Sequence, residues 1–491
     1  MRLLFVSSEA YPMVKTGGLA DVAGALPMAL ADLGVEARLL LPAYPSARRA
    51  LTDIAELAVL GDPFGVGEAR LLEGRVADSP VPVWLVDCPA LYERDGGPYQ
   101  DAAAADWPDN DLRFGLLGWA AARLGHPSSP LPWRPNVLHA NDWQAGLAPA
   151  FLHAWGGARP ATLLTIHNMA YQGLFPAATL PRLGLPWSMY TIDGLEYWGR
   201  MSFLKAGIFY SDGLTTVSPT YAREIQTEEY GCGLDSLLRA RSQDLAGILN
   251  GVDYGVWDPF RDPHLAHRHA SGDLDAKAAN KGALQGELGL PRDAAAPLMI
   301  VVSRLNAHKG SDLVLAQLPF LIGNGAQLAV LGTGDRELED GFRAAARLHP
   351  TQVAVNIGYS EALAHRMQAG ADMLLMPSRT EPCGLTQFYA FRYGTVPVVH
   401  RTGGLADSVV DVTHESIAGS ATGFTFDRPT TGAFQWALER ALAIFGRPEQ
   451  WRRIRAAGVG QDFSWRRSAQ RYLDLYRNLS SGRSDNAVAA P

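Results

Sequence analysis

The sequence predicts an α/β protein made of two doubly wound, Rossmann-like domains. Three observations carry that expectation. Short apolar runs of strand character alternate with stretches of helical period along most of the chain. At 491 residues the chain is too long for one ordinary core. A looser segment rich in Pro, His and Asp, at about 250–276, interrupts the alternation, which then restarts. That segment reads as a solvated hinge between a first domain at 1–250 and a second at 251–465.

In chain order, Leu3-Leu4-Phe5-Val6 reads as the first strand. Its apolar run is too short for a secretion leader, and Glu9 and Lys15 follow at once. Leu19, Val22, Ala23, Leu26, Leu30 and Leu33 then fall on one helical face, which Gly34 ends. Buried strands are expected at 38–41, 83–86, 136–139, 162–166, 214–218 and 247–249. In the second half they are expected at 298–302, 328–331, 353–355, 373–376 and 396–399. Strands alternating with helices imply parallel sheets covered on both faces. One more helix is expected at 466–479, and the Ser/Gly/Ala-rich tail at 480–491 reads as disordered.

Composition narrows the function classes. Hydrophobic residues are 47% and charged residues 19%, as in a globular protein. The formal charge of −7 is spread along the chain, with no Lys/Arg block for nucleic acid or membrane. No apolar run is long enough to cross a bilayer. Three widely spaced cysteines, Cys88, Cys232 and Cys383, argue against a disulfide framework and for a cytoplasmic protein.

The candidate chemistry lies at expected strand ends, where ligands bind in open α/β sheets. After the strand at 373–376, Pro377 and Pro382 bar regular structure, and Gly384 lets the chain turn into a helix near Leu385. Glu381 and Cys383 therefore sit on a strand-to-helix loop, and the amides at Leu385 and Thr386 suit a phosphate. The hexapeptide Thr-Gly-Gly-Leu-Ala-Asp occurs twice, at 16–21 and 402–407, each time after a strand and before a helix. The pair reads as two glycine turns exposing amides on opposite walls of one cleft. Lys15 precedes the first copy; Asp142 and His167-Asn168 follow other strands. Arg304 and Lys309 flank a turn, a fork and a mobile ammonium suited to a diphosphate. Gly332-Thr333-Gly334-Asp335 lacks a full dinucleotide fingerprint and reads as a structural turn. His264, His267 and His269, with Asp262 and Asp273, fit no zinc spacing. Asp109-Asn110-Asp111 reads as a helix cap rather than a metal-binding pair.

Taken together, these motifs resemble bacterial glycogen synthase and the related plant starch synthases: Lys15 to Val22, His167-Asn168, Ser303-Arg304 with Lys309-Gly310, Glu381-Pro382-Cys383-Gly384 and Thr402 to Leu405. The likeness runs to about residue 476. It implies a GT-B fold, with two Rossmann-like domains facing a deep cleft and a last helix crossing back to the first domain. It implies a retaining glucosyltransferase that extends α-1,4-glucan, glycogen or maltooligosaccharide, from ADP-glucose, with no cofactor and no metal. A retaining enzyme of the same architecture using UDP-glucose is the alternative. By the same resemblance, Lys15 and the Gly17-Gly18 turn meet the sugar nucleotide and acceptor. Asp21, Asp142, His167 and Asn168 line the glucose site. Arg304 and Lys309 hold the diphosphate, and Glu381 contacts the transferred glucose. Cys383, Gly384, Leu385 and Thr386 give backbone contacts, and Tyr359 stacks near adenine. Two positions depart from the pattern. Family members often carry His where Asn141 stands, and more distant relatives carry Glu where Tyr389 stands.

Overall fold

The computed structural model describes residues 1–270, 272–273 and 276–488. The chain divides into two compact units, Met1–Gly251 joined by the chain from Trp465, and Val252–Ser464.

The first unit has a nine-stranded sheet. In chain order its first seven strands are β1 (Arg2–Val6), β2 (Glu36–Pro42), β3 (Thr52–Gly61), β4 (Ala69–Arg75), β5 (Val83–Asp87), β6 (Val137–Asn141) and β7 (Ala161–Ile166). Three short strands, β8 (Leu174–Pro176), β9 (Glu196–Tyr197) and β10 (Arg200–Ser202), form a separate antiparallel sheet in the order β8-β10-β9. β11 (Gly213–Thr216) and β12 (Leu245–Gly247) complete the large sheet, ordered β12-β11-β7-β6-β1-β2-β5-β4-β3. It is parallel from β12 to β5 and antiparallel through β4 and β3. β6 and β7 are buried at every position, as an apolar strand covered on both faces must be. Chain order departs in opposite directions from β1 and β6, so the topological switch of this sheet lies between them.

The helix Gly18–Asp32 buries the face anticipated from its periodicity and ends at Gly34, whose φ of 84° admits the closing turn. The last helix, Trp465–Val488, belongs to this unit. Tyr476 hydrogen-bonds His139 of β6 across 2.8 Å. The chain re-enters where Gly251 abuts Trp465, since a Cβ on Gly251 would lie 2.5 Å from the Trp465 Cα. The helix runs past the stop expected near residue 479, into the stretch expected to be disordered. Once nucleated, each further residue adds one hydrogen bond at small cost, which carries a polar sequence onward. Residues 489–491 of that tail lie outside the described residues.

The second unit has a six-stranded sheet, all parallel: β13 (Leu298–Val302), β14 (Gln327–Gly332), β15 (Val353–Ile357), β16 (Met373–Met376), β17 (Val396–His400) and β18 (Phe424–Phe426). Their order, β15-β14-β13-β16-β17-β18, is the 3-2-1-4-5-6 order of a dinucleotide-binding fold. One face packs on Phe342, Phe434 and Trp451, the other on Leu284, Met367 and Leu363.

The segment expected to be a solvated hinge is packed into this unit. Asp262 is fully buried; its carboxylate accepts from Tyr393 at 2.5 Å and pairs with His365 at 2.7 Å. Trp257 stacks on His365 and Tyr389 with ring centroids 3.7 and 3.8 Å away. Local composition hid this, because the partners lie about a hundred residues downstream. Residues 271, 274 and 275 of the segment lie outside the described residues.

Candidate active site

In the second unit the chain order reverses between β13 and β16, so the loops after these strands flank the switch point. The β13 loop carries Arg304 and Lys309; the β16 loop carries Glu381. The structure joins them: Lys309 Nζ lies 2.5 Å from Glu381 Oε2. Ser378 Oγ donates to the same oxygen at 3.0 Å. Glu381 is 5% exposed, and Arg304, on the β13 loop, is exposed. A carboxylate this buried needs a charged or hydrogen-bonding partner, and here it has both.

Glycines set this geometry. Gly310 has φ 70°, and a Cβ there would meet the Pro377 oxygen at 2.2 Å, so the two loops touch backbone to backbone. A Cβ on Gly403 would stand 2.0 Å from the Glu381 oxygen, and one on Gly404 2.1 Å from the Cys383 oxygen. Gly404 N–H donates to the carbonyls of Glu381 and Pro382, each at 3.1 Å. The second copy of the hexapeptide is therefore a buried buttress under the Glu381 loop. The first copy is different: Lys15 to Gly18 are exposed, and a Cβ on Gly17 would meet nothing within 4 Å. The expectation of two equivalent amide-presenting turns is corrected accordingly; identical sequence met different surroundings. The Gly332–Gly334 turn is also a buttress, packed on the carbonyls of Ser303 and Leu305 below Arg304.

In the first unit the switch between β1 and β6 gathers a second group. Asp142 follows β6 with φ 54°, a strained backbone for a non-glycine residue. Its carboxylate accepts from His167 N–H at 2.7 Å. Burial pushes Asp142 up to about 7, opposed by the His167 and Asn168 amides and aided by the charge of Glu9. Burial pushes His167 down to about 3, which keeps the ring neutral. Asn141 determines which nitrogen holds the proton. Its amide nitrogen faces the carbonyls of Val6 and His139, at 3.1 and 3.4 Å, so its oxygen must accept from His167 Nε2–H, 3.0 Å away. His167 Nδ1 is then left with a lone pair. Asn141, the departure from the family pattern, supplies a hydrogen bond without a titrating group. Asn168 Oδ1 accepts from Ala170 N–H at 3.0 Å, shaping the turn after His167.

Lys15 Nζ pairs with Asp21 at 2.7 Å on the exposed first glycine turn. Glu9 anchors that turn from beneath: Oε2 accepts from Thr16 and Gly17 N–H at 2.5 and 3.1 Å, and Oε1 from Tyr99 at 2.8 Å. Burial raises the Glu9 pKa in spite of those donors. Sequence reading passed over Glu9 and Ser378; a carboxylate eight residues before a Gly-Gly turn was the one available signal for the former. Tyr359, after β15, is 74% exposed and bonds Glu361 at 2.8 Å. Cys383 is buried, and Gly384 takes φ 70° ahead of the helix Thr386–Arg392. Asp109 sits at the cap position of the helix Asn110–Gly125, but its side chain pairs with Arg94 rather than capping. Asp111 holds Thr179 and Arg182, each at 3.0 Å. Among the described residues no cluster of His, Cys, Asp and Glu has the arrangement of a metal site, and no helix is long and apolar enough to cross a membrane.

Residues 2–240 match the starch synthase catalytic domain family, and residues 290–456 the glycosyl transferases group 1 family. The chain is 63% identical to a glycogen synthase of Paramagnetospirillum magneticum over 98% of each chain. It is 52% identical to a glycogen synthase of Rhodospirillum rubrum over 98% of this chain and 99% of the relative. Among solved structures it is similar to the catalytic domain of starch synthase IV from Arabidopsis thaliana, bound to ADP and acarbose. That likeness has a TM-score of 0.86 and 31% identity over 98% of this chain and 99% of the other. A sucrose-phosphate synthase from Thermosynechococcus elongatus, at TM-score 0.60 and 17% identity over 98% and 99%, shares the fold.

Proposed function

The chain belongs to the glycogen synthase family of GT-B glycosyltransferases, and on that premise we propose how its residues carry out the reaction. It is a hexosyltransferase that moves glucose from ADP-glucose to the non-reducing end of an α-1,4-glucan and releases ADP. The observation that carries the mechanism is the Lys309–Glu381 pair at the β13/β16 switch point.

Breaking the bond between the anomeric carbon and the diphosphate leaves its electron pair on the phosphate oxygen. Lys309 and Arg304 meet that growing negative charge, and the backbone amides at the start of the helix Thr386–Arg392 add to it. Glu381 balances the oxocarbenium charge on the sugar. Its Oε2 is already held by Lys309 and Ser378, which favours an electrostatic role over nucleophilic attack. The acceptor 4-hydroxyl oxygen then bonds to the anomeric carbon on the face the phosphate leaves, and its proton passes to the departing phosphate oxygen. The α configuration is retained. His167, neutral and with its Nδ1 lone pair available, accepts a hydrogen bond from a sugar hydroxyl, and Asp142 holds the His167 backbone. Lys15 with Asp21 sits on the exposed turn to meet nucleotide and acceptor. Two protein cations take the place a divalent metal fills in enzymes with an acidic metal-binding pair.

Donor competition tests this reading. Turnover with maltoheptaose should favour ADP-glucose over UDP-glucose. A preference for UDP-glucose would assign the chain to the alternative donor.

A further inference from the structure

The small sheet β8-β10-β9 ends in a hairpin that the transfer reaction does not use. β9 and β10 are joined by two residues, Trp198 and Gly199, with φ of 49° and 76°. A two-residue turn with both φ values positive selects Asn, Asp or Gly, because a larger side chain is strained there. Trp198 is the opposite choice. It is 84% exposed, and its side chain makes no ring contact or hydrogen bond among the described residues. The hairpin is fixed by other groups. Gly199 N–H donates to Glu196 at 2.7 Å, Tyr197 OH to the Cys232 carbonyl at 2.6 Å, and Lys205 Nζ to the carbonyls of Ile192 and Glu196. The indole thus adds strain and exposed apolar area with no internal return, so its use lies outside the fold.

A second exposed indole sits on the same hydrogen-bonded segment. Trp187 is 57% exposed and braced edge-on by Tyr190, with centroids 5.7 Å apart. Leu195 N–H to Met189 O and Glu196 N–H to Thr191 O tie that turn to the hairpin. Chain reach keeps the two tryptophan backbones within about 25 Å, a span of several glucose units. Ser188, Thr191 and Asp193, all exposed, lie between the two tryptophans in the chain with the exposed Ile192 among them, and exposed Arg200 follows the turn. A contiguous apolar patch would mark a protein interface; isolated aromatic faces among polar groups fit a sugar chain, whose rings stack while its hydroxyls meet the polar rim. The mixed charges also suit a neutral polymer.

We propose that Trp198, with Trp187, forms a second glucan-binding surface that holds the polymeric acceptor while one of its chain ends reacts at the transfer site. The proposal rests on the α-glucan acceptor assigned above. A polymer tethered here presents its ends at raised effective concentration, an advantage a short oligosaccharide does not share.

Trp198→Asn tests it, because Asn suits the turn and removes only the indole. Glycogen retention in affinity electrophoresis should weaken about tenfold, and KM for glycogen should rise. Turnover on maltotriose should be unchanged, and thermal stability equal or higher. Trp198→Phe should keep most of the glycogen affinity. Unaltered glycogen binding by Trp198→Asn would overturn the proposal. So would an equal loss on maltotriose, or a change in sedimentation that makes this face a contact between copies. A wild-type protein that neither binds nor extends glycogen would instead sink the acceptor assignment itself.

Discussion

Lys309 and Glu381 are held together at 2.5 Å with the carboxylate buried, and this sets what their loss should do. Lys309→Ala removes a preorganised charge and should slow turnover about a hundredfold, near 3 kcal/mol in the transition state. ADP affinity should fall less than turnover, because the contact strengthens as charge develops. Isothermal titration beside steady-state rates checks this; equal losses in both would reduce Lys309 to ground-state binding. Asp142 gives a second prediction. Its folded pKa of about 7 lies above the ordinary 3.8, so the folded state binds the proton more tightly. The stability it contributes is complete below pH 3.8 and is lost as pH rises through 7. His167, depressed to about 3, works in the other direction and loses stability as pH falls from 6.5. Asp142→Asn keeps an acceptor for the His167 amide and suits the positive φ. Its gain in melting temperature over wild type should therefore be larger at pH 8 than at pH 4. The same gain at both values would contradict the assignment.

Among elements, the two hexapeptides show that a motif and its role are different things. Gly404→Ala must push the Cys383 carbonyl by more than an ångström, so it should cost about 1–3 kcal/mol of stability and most of the activity. Gly17→Ala meets open space at φ −153° and should stay within about 0.5 kcal/mol of wild type. Thermal melts of the two variants decide this, and matched losses would make the turns equivalent after all. The elements legible in the sequence were those whose strands are buried on both faces, such as β6 and β7, because a continuous apolar run marks them. β3 escaped because it is an edge strand exposed over most of its length, in which Asp53 and Glu56 break up the apolar residues, and β18 because three residues give no pattern. Glu381, Lys309, Asp142 and His167 were legible as strand-end residues. The bond between Lys309 and Glu381, 72 residues apart, was not, since it depends on β13 and β16 being neighbours. The packed state of Asp262 was hidden because its partners, His365 and Tyr393, are likewise distant in sequence.

Across the whole molecule, each unit places its chemistry at its own topological switch, and the last helix returns the chain to the first unit through Gly251 and Trp465. The central claim is that this chain elongates an α-1,4-glucan from ADP-glucose using its own cations at the β13/β16 switch point. Proton NMR of maltoheptaose incubated with enzyme, ADP-glucose and excess chelator tests it directly. The predicted result is a growing α-1,4 anomeric signal, with one ADP released per glucose added and no new β-glycosidic signal. Loss of all extension in chelator, restored by magnesium or manganese, or an inverted product, would contradict it.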